Sequence, residues 1–229
     1  MRVRIGEYDM EKDFGLKLID VSLGTPEIKK ESIDIPGSNG ELDYSETITG
    51  YPVFKNAEHT LRFDFKDGNY QAWISISSDI KGKLHGKRLP VILGEDTFYY
   101  DARLSVRTDK INQGYSEVEI GLDAYPYRRN SITSMDDYPW DPFCFETDIA
   151  QPSTKDIPVP SAVVIYGDAM PTGVIFHCSQ AMQVEFKGKT YSLPDGDSSS
   201  PDIILFQGEN TFTFSGSGTV SLEYRGGRF

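Results

Sequence analysis

Apolar and polar residues alternate with a period of two over most of this chain. In TLRFDF, Leu61, Phe63 and Phe65 alternate with Arg62 and Asp64. In SEVEIGLDA, Val118, Ile120, Leu122 and Ala124 share one face, and Glu117, Glu119 and Asp123 share the other. In AMQVEFKGKTYSL, Met182, Val184 and Phe186 lead through a Lys187-Gly188-Lys189 turn to Tyr191 and Leu193. Successive side chains of a strand point to opposite faces. The pattern therefore predicts antiparallel sheets with one face in a core and one in water. Phe212 and Phe214 run into Gly216 and Gly218, and Val220, Leu222 and Tyr224 follow, which predicts a further hairpin turning at the glycines. One segment, NYQAWISISSDIKGKL, keeps a helical period instead. Trp73, Ile76, Ile80 and Leu84 recur at spacings of three or four and make one apolar face. Asp67 or Asn69 would cap its start, and Gly82 or Gly86 would end it. The expected fold is all-β with one short helix, arranged as two β-sandwich domains.

The alternation breaks at PYRRNSITSMDDYPWDPFCFETDIAQPSTKDIPVP, which holds six prolines between Pro126 and Pro160. Proline has no N–H for a ladder, so this stretch reads as a linker or an extended segment and not as a central strand. A boundary near residue 129 divides the chain into 1–129 and 130–229. Residues 1–128 carry 17 basic and 22 acidic side chains, against 6 and 13 in residues 129–229, so the second part is poorer in charge of both signs. The serine-rich patch DGDSSSPD (Asp195–Asp202) is expected to be a mobile loop.

Composition narrows the functional classes. The 229 residues carry a net charge of −12, which disfavours tight nucleic-acid binding, since that requires basic side chains to replace phosphate counterions. Aromatic residues make up 12% of the chain, enough for a packed core. The longest apolar runs, Ala162–Tyr166 and Ile203–Phe206, fall far short of the roughly 18 residues that span a membrane. The N-terminal segment is charged throughout, so no export signal is expected. Cys144 and Cys178 are too far apart for a metal knuckle. Reduced thiols are the expectation, with a single bridge left open.

No side-chain constellation points to catalysis. His59, His85 and His177 lie in no metal-ligand spacing. His177 and Cys178 are neighbours, and in a strand they would face opposite ways, which is poor geometry for a dyad. The acidic pairs, among them Asp136–Asp137 and Glu95–Asp96, are what 35 acidic residues produce by chance. Neither a phosphate-cradling glycine loop before a helix nor a GxSxG elbow occurs. No catalytic residue, metal or cofactor is therefore assigned. Tyr138, Trp140, Phe143 and Phe145 cluster in the proline-rich stretch and read as an extended segment anchored on a neighbouring surface, with stacking on sugar rings as the alternative.

Taken in order, the first part resembles the N-terminal domain of siphophage distal tail proteins (Dit). The run comprises an opening GLKLIDVSLGTPEIKKESIDIPGSNGELDYSETITGYPVF and the strand TLRFDFKDG, then the Trp73 helix closed by KLHGKRLPVIL. FYYDARLSV and EVEIGLDAYPYRR complete it. The second part is similar to the galectin-like or carbohydrate-module-like sandwich of that family, on VVIYGDAMPTGVIF, FQGENTFTFSG and VSLEYRGGRF. The resemblance implies a homo-hexameric ring that joins the tail tube to the adsorption apparatus. Its implied partners are the tail tube protein, the tape measure protein and a tail-associated lysin or fibre protein, in a virion tail tip assembled in host cytoplasm. It also implies an extended arm that embraces a neighbouring subunit. Ile33–Pro52 is long, rich in turn residues and alternates poorly, as expected of an arm whose partner is another subunit. Ile35, Pro36, Gly37, Asp43 and Tyr44 are the candidate arm contacts. The alternative reading is a carbohydrate-binding adhesin acting on host-surface saccharide through the second domain, with Tyr138 and Trp140 as candidate contacts.

Overall fold

A computed structural model describes residues 1–66, 69–112, 115–137 and 153–229. They form two compact units, Met1–Gly94 with Tyr100–Pro126, and Glu95–Tyr99 with Tyr127–Phe229. The fold is all-β, as the alternation predicts.

In chain order the first unit contains β1 (Val3–Ile5), β2 (Tyr8–Asp9), α1 (Met10–Phe14), β3 (Lys17–Leu23), β4 (Ser32–Asp34) and β5 (Glu41–Asp43). β6 (Ala57–Lys66), α2 (Tyr70–Leu84), β7 (Arg88–Leu93), β8 (Phe98–Asn112, in this unit from Tyr100 onward) and β9 (Tyr115–Ala124) follow. An antiparallel sheet runs in the order β2-β1-β7-β8-β9-β6-β3. Its register sets Leu61 opposite Ile120 and Ile120 opposite Val106, so the apolar rows of three strands meet on one buried face. α2 packs on that face through fully buried Ile80 and Leu84, with Trp73 and Ile76 partly buried beside them. Asn69 caps it, its Oδ1 accepting from Ala72 N–H at 2.9 Å. The helix passes through Gly82 and ends at His85, where the chain turns extended ahead of Gly86. Asp67 lies outside the described residues.

A second helix, α1, lies outside what the hydrophobic period predicts. Asp9 caps it by accepting from Glu11 and Lys12 N–H, and left-handed Gly15 closes it by donating to Glu11 O while Leu16 N–H reaches Met10 O. One turn is too short to show a 3.6-residue period. Only its caps announce it.

The second unit adds β10 (Arg128–Asn130), β11 (Ile157–Gly167), β12 (Thr172–Cys178), β13 (Met182–Phe186), β14 (Lys189–Leu193), β15 (Gly196–Leu205), β16 (Gly208–Glu223) and β17 (Gly227–Arg228). The β13–β14 hairpin turns at Lys187-Gly188 as expected, with positive φ at both residues. Gly216 and Gly218, however, do not turn a hairpin. β16 runs through them as one strand and changes neighbours, pairing with β13 before the glycines and with β12 after them. β11 follows it around the same corner, shifting register between Val159 and Ser161. The result is two layers. Across them Phe176 of β12 meets Phe212 and Phe214 of β16 edge-on, at 5.9 and 6.2 Å. Gly216 and Gly218 hold φ of +125° and +103°, and a Cβ on Gly218 would lie 2.5 Å from Ser179 Oγ. Glycine is needed there for a bend inside a strand.

Two further expectations are corrected. DGDSSSPD is not a loop. It forms most of β15, held by register with β12 that sets Asp197 opposite His177 and Ser199 opposite Ile175. The end of the proline-rich stretch is strand as well. Pro158 and Pro160 sit in β11, which among the described residues pairs with β16 alone, so their missing N–H groups fall where an edge strand tolerates them.

Candidate functional site

Between β3 and β6 the chain leaves the sheet. The departure is pinned at its root: Gly24 N–H donates to Glu58 O at 3.2 Å and to His59 Nδ1 at 3.0 Å. A bridge pairs Ile28 with Phe54, and Lys55 Nζ meets Glu27 Oε2 at 3.1 Å. Beyond the root, β4 and β5 form a two-stranded ribbon with Ser32 opposite Asp43, Ile33 opposite Leu42 and Asp34 opposite Glu41. Ile35-Pro36-Gly37-Ser38 turns beyond β4, Ser38 N–H donating to Ile35 O at 3.0 Å and Gly37 taking φ +84°. Proline then glycine at the two central positions is the signature of a type II turn. At the far end of β5, Asp43 Oδ1 accepts from Ser45 N–H at 2.9 Å, and Ser45 Oγ accepts from Glu31 N–H at 2.7 Å. The Ser45 hydroxyl and N–H hold the Asp43 carboxyl below its usual range.

Directly opposed residues of a ribbon share a face. Ile33 and Leu42 therefore sit together, with Ile35 and Tyr44 two residues along each strand on the same side. Ser32, Asp34, Glu41 and Asp43 take the other. Ile33, Ile35 and Leu42 are about half exposed, and Ile48 beyond them is 94% exposed. An isolated two-stranded ribbon is marginal in water, and a contiguous apolar face in solvent marks an interaction site. Of the residues singled out by sequence, Ile35, Pro36, Gly37, Asp43 and Tyr44 all fall on this ribbon or its turn. Ile33 and Leu42, which complete its apolar face, were missed. Their alternation was present in the sequence, but in strands of three residues.

The remaining candidates fall elsewhere. Tyr138, Trp140, Phe143, Phe145 and Cys144 lie outside the described residues. His177 and Cys178 face opposite sides of β12, as their adjacency predicts. The Cys178 thiol is free and buried, and burial pushes its pKa up. His177 lies on the outer side, with Nδ1 2.7 Å from Asp197 Oδ1 and Nε2 3.0 Å from Glu223 Oε2. The Asp197 hydrogen bond raises its pKa, and Glu223 adds to that. His59 is buried against Tyr100, and burial lowers its pKa. Among the described residues no His, Cys, Asp and Glu cluster is arranged to hold a metal, and no helix is long and apolar enough to cross a membrane.

A helix-bearing sheet that projects an exposed amphipathic ribbon, followed by a second unit that is strands and loops among its described residues, defines an all-β class. The solved structure of SPP1 Dit (gp 19.1) is similar to this chain over 99% of its length and 98% of that protein's, with a TM-score of 0.66. That protein is described as a paradigm of the hub adsorption apparatus in phages infecting Gram-positive bacteria. Sequence identity is 11%, so the likeness is one of fold, and the chain has a Dit-like fold as the resemblance implied. No family model matches the sequence, and no curated protein does.

Proposed function

We propose that this protein is the structural hub of a long-tailed phage or prophage tail tip: a six-copy ring joining the tail tube to the adsorption apparatus, without catalysis. The observation that carries this reading is the exposed, amphipathic β4–β5 ribbon on a Dit-like fold. Among the described residues nothing in its own core covers its apolar face, and a second copy is the partner that repeats by symmetry. When such a head-to-tail contact recurs at a fixed rotation, a ring closes. Residues 1–129 would form the ring and residues 130–229 would face the adsorption apparatus. The partners follow from that position: tail tube protein, tape measure protein, and a tail-associated lysin or fibre protein, assembled in host cytoplasm and carried in the virion. The excess of carboxylates fits a channel that DNA must pass without sticking, since like charge repels phosphate and gives no counterion release.

Negative-stain images of the purified chain test this directly. Rings with a central hole and six-fold rotational symmetry are expected. Fields of single small particles at every concentration would overturn it.

A further inference from the structure

Charge is distributed unevenly over the first unit. From Glu31 to Thr49 the arm carries Glu31, Asp34, Glu41, Asp43 and Glu46 and no basic residue. From Lys81 to Arg88, where α2 ends, the chain carries Lys81, Lys83, Lys87 and Arg88 and no acidic residue. Arg103 joins them, its guanidinium donating to Gly86 O at 2.9 Å. Lys83 is paired with Asp79 and Arg88 with Asp101. Lys81 and Lys87 are exposed and have no ion-pair partner among the described residues. Beside this basic end, the outer side of α2 carries a shallow groove of about 540 Å³. Its lining is polar apart from Ile74, which is 39% exposed: Gln71, Ser75, Ser78 and the Asp79–Lys83 ion pair surround it, and Gly82 keeps it low.

We infer that the arm of one copy docks on the basic C-terminal end of α2 in a second copy, its apolar face over the Ile74 groove and its carboxylates toward Lys81 and Lys87. This rests on the reading of the ribbon as an intersubunit arm and adds the surface that receives it. The occupant is argued from charge. Copies of a chain with net charge −12 repel one another, and association requires local complementarity of this kind to overcome that. An acidic segment and a helix end with two lysines unpaired among the described residues are complementary in charge, and the exposed Ile74 beside them offers the arm's apolar face one contact. Such a contact weakens as salt screens it.

Charge exchange in the full-length chain tests the pairing, with assembly followed by sedimentation velocity. Asp34→Lys with Glu41→Lys reverses the arm, and Lys81→Glu with Lys87→Glu reverses the helix end. All four side chains are exposed, so unchanged thermal midpoints will report intact folds. Each reversed pair is expected to raise the concentration at half assembly by about tenfold or more, and the quadruple variant to recover the wild-type value. If the helix-end pair assembles like wild type, or the quadruple variant stays as weak as either pair, the docking site falls. Ile33→Asp with Leu42→Asp separates this from the broader reading. If that variant loses assembly while the helix-end pair keeps it, the arm stands and its proposed site does not. If that variant assembles normally, the arm itself is overturned, and the docking site with it.

Discussion

His59 and His177 illustrate how position decides what one residue type does. His59 is buried, and its Nδ1 accepts from the Gly24 backbone at the root of the arm, so the neutral ring is the form that fits. Its folded pKa lies below the unfolded value of about 6.5. The unfolded chain therefore takes up a proton that the folded one refuses, and this contribution to stability is lost as pH falls below about 6.5. His177 has the opposite sign. Asp197 and Glu223 favour the imidazolium, both of whose nitrogens donate, so its folded pKa is raised. Its contribution is complete below about 6.5 and is lost as pH rises through the folded value. The two units should thus respond in opposite directions between pH 5.5 and 8. Hydrogen exchange corrected for intrinsic rate is expected to show β6 more protected at pH 8 and β12 more protected at pH 5.5. His59→Gln and His177→Gln should each flatten the slope of its own unit. Slopes unchanged by either substitution would contradict the assignment.

At the scale of elements, the glycine corner in β16 makes the sharpest prediction. Gly218→Ala places a methyl against Ser179 at a φ that L-residues rarely adopt. It is expected to cost about 1–3 kcal/mol in thermal or denaturant unfolding, and a midpoint equal to that of the wild type would contradict the strained corner. The same corner shows why part of the fold was hidden. Phe212, Phe214, Val220 and Leu222 read correctly as buried, because alternation is local. Whether the glycines between them reverse the chain or bend it depends on β11, β12 and β13, partners remote in sequence. DGDSSSPD reads as a loop by composition and becomes a strand only because β12 supplies its ladder. α2 was legible because fifteen residues carry several helical periods and Asn69 supplies a cap. α1 and the arm strands were too short for periodicity to register. The excursion between β3 and β6 stood out by its length, its turn residues and its poor alternation, and the pairing of Ile33 with Leu42, which gives the ribbon a face, emerged only with the register.

For the whole molecule, exposure of the arm and the excess of negative charge pull against each other. The apolar ribbon favours association, and net charge −12 opposes it everywhere except where opposite signs are brought together. The proposed closed ring would satisfy both, since every arm would be covered and no open end would remain to recruit further copies. The arm contributes no buried residue to the core of its own unit, so its removal should leave that unit folded. The most direct measurement is the mass in solution, by light scattering, of the intact chain and of a variant lacking Asp34–Thr49. Six chains for the first and one for the second, with equal melting temperatures, is the predicted result. Single chains for the intact protein at high concentration, or six-chain particles that survive the deletion, would contradict the account.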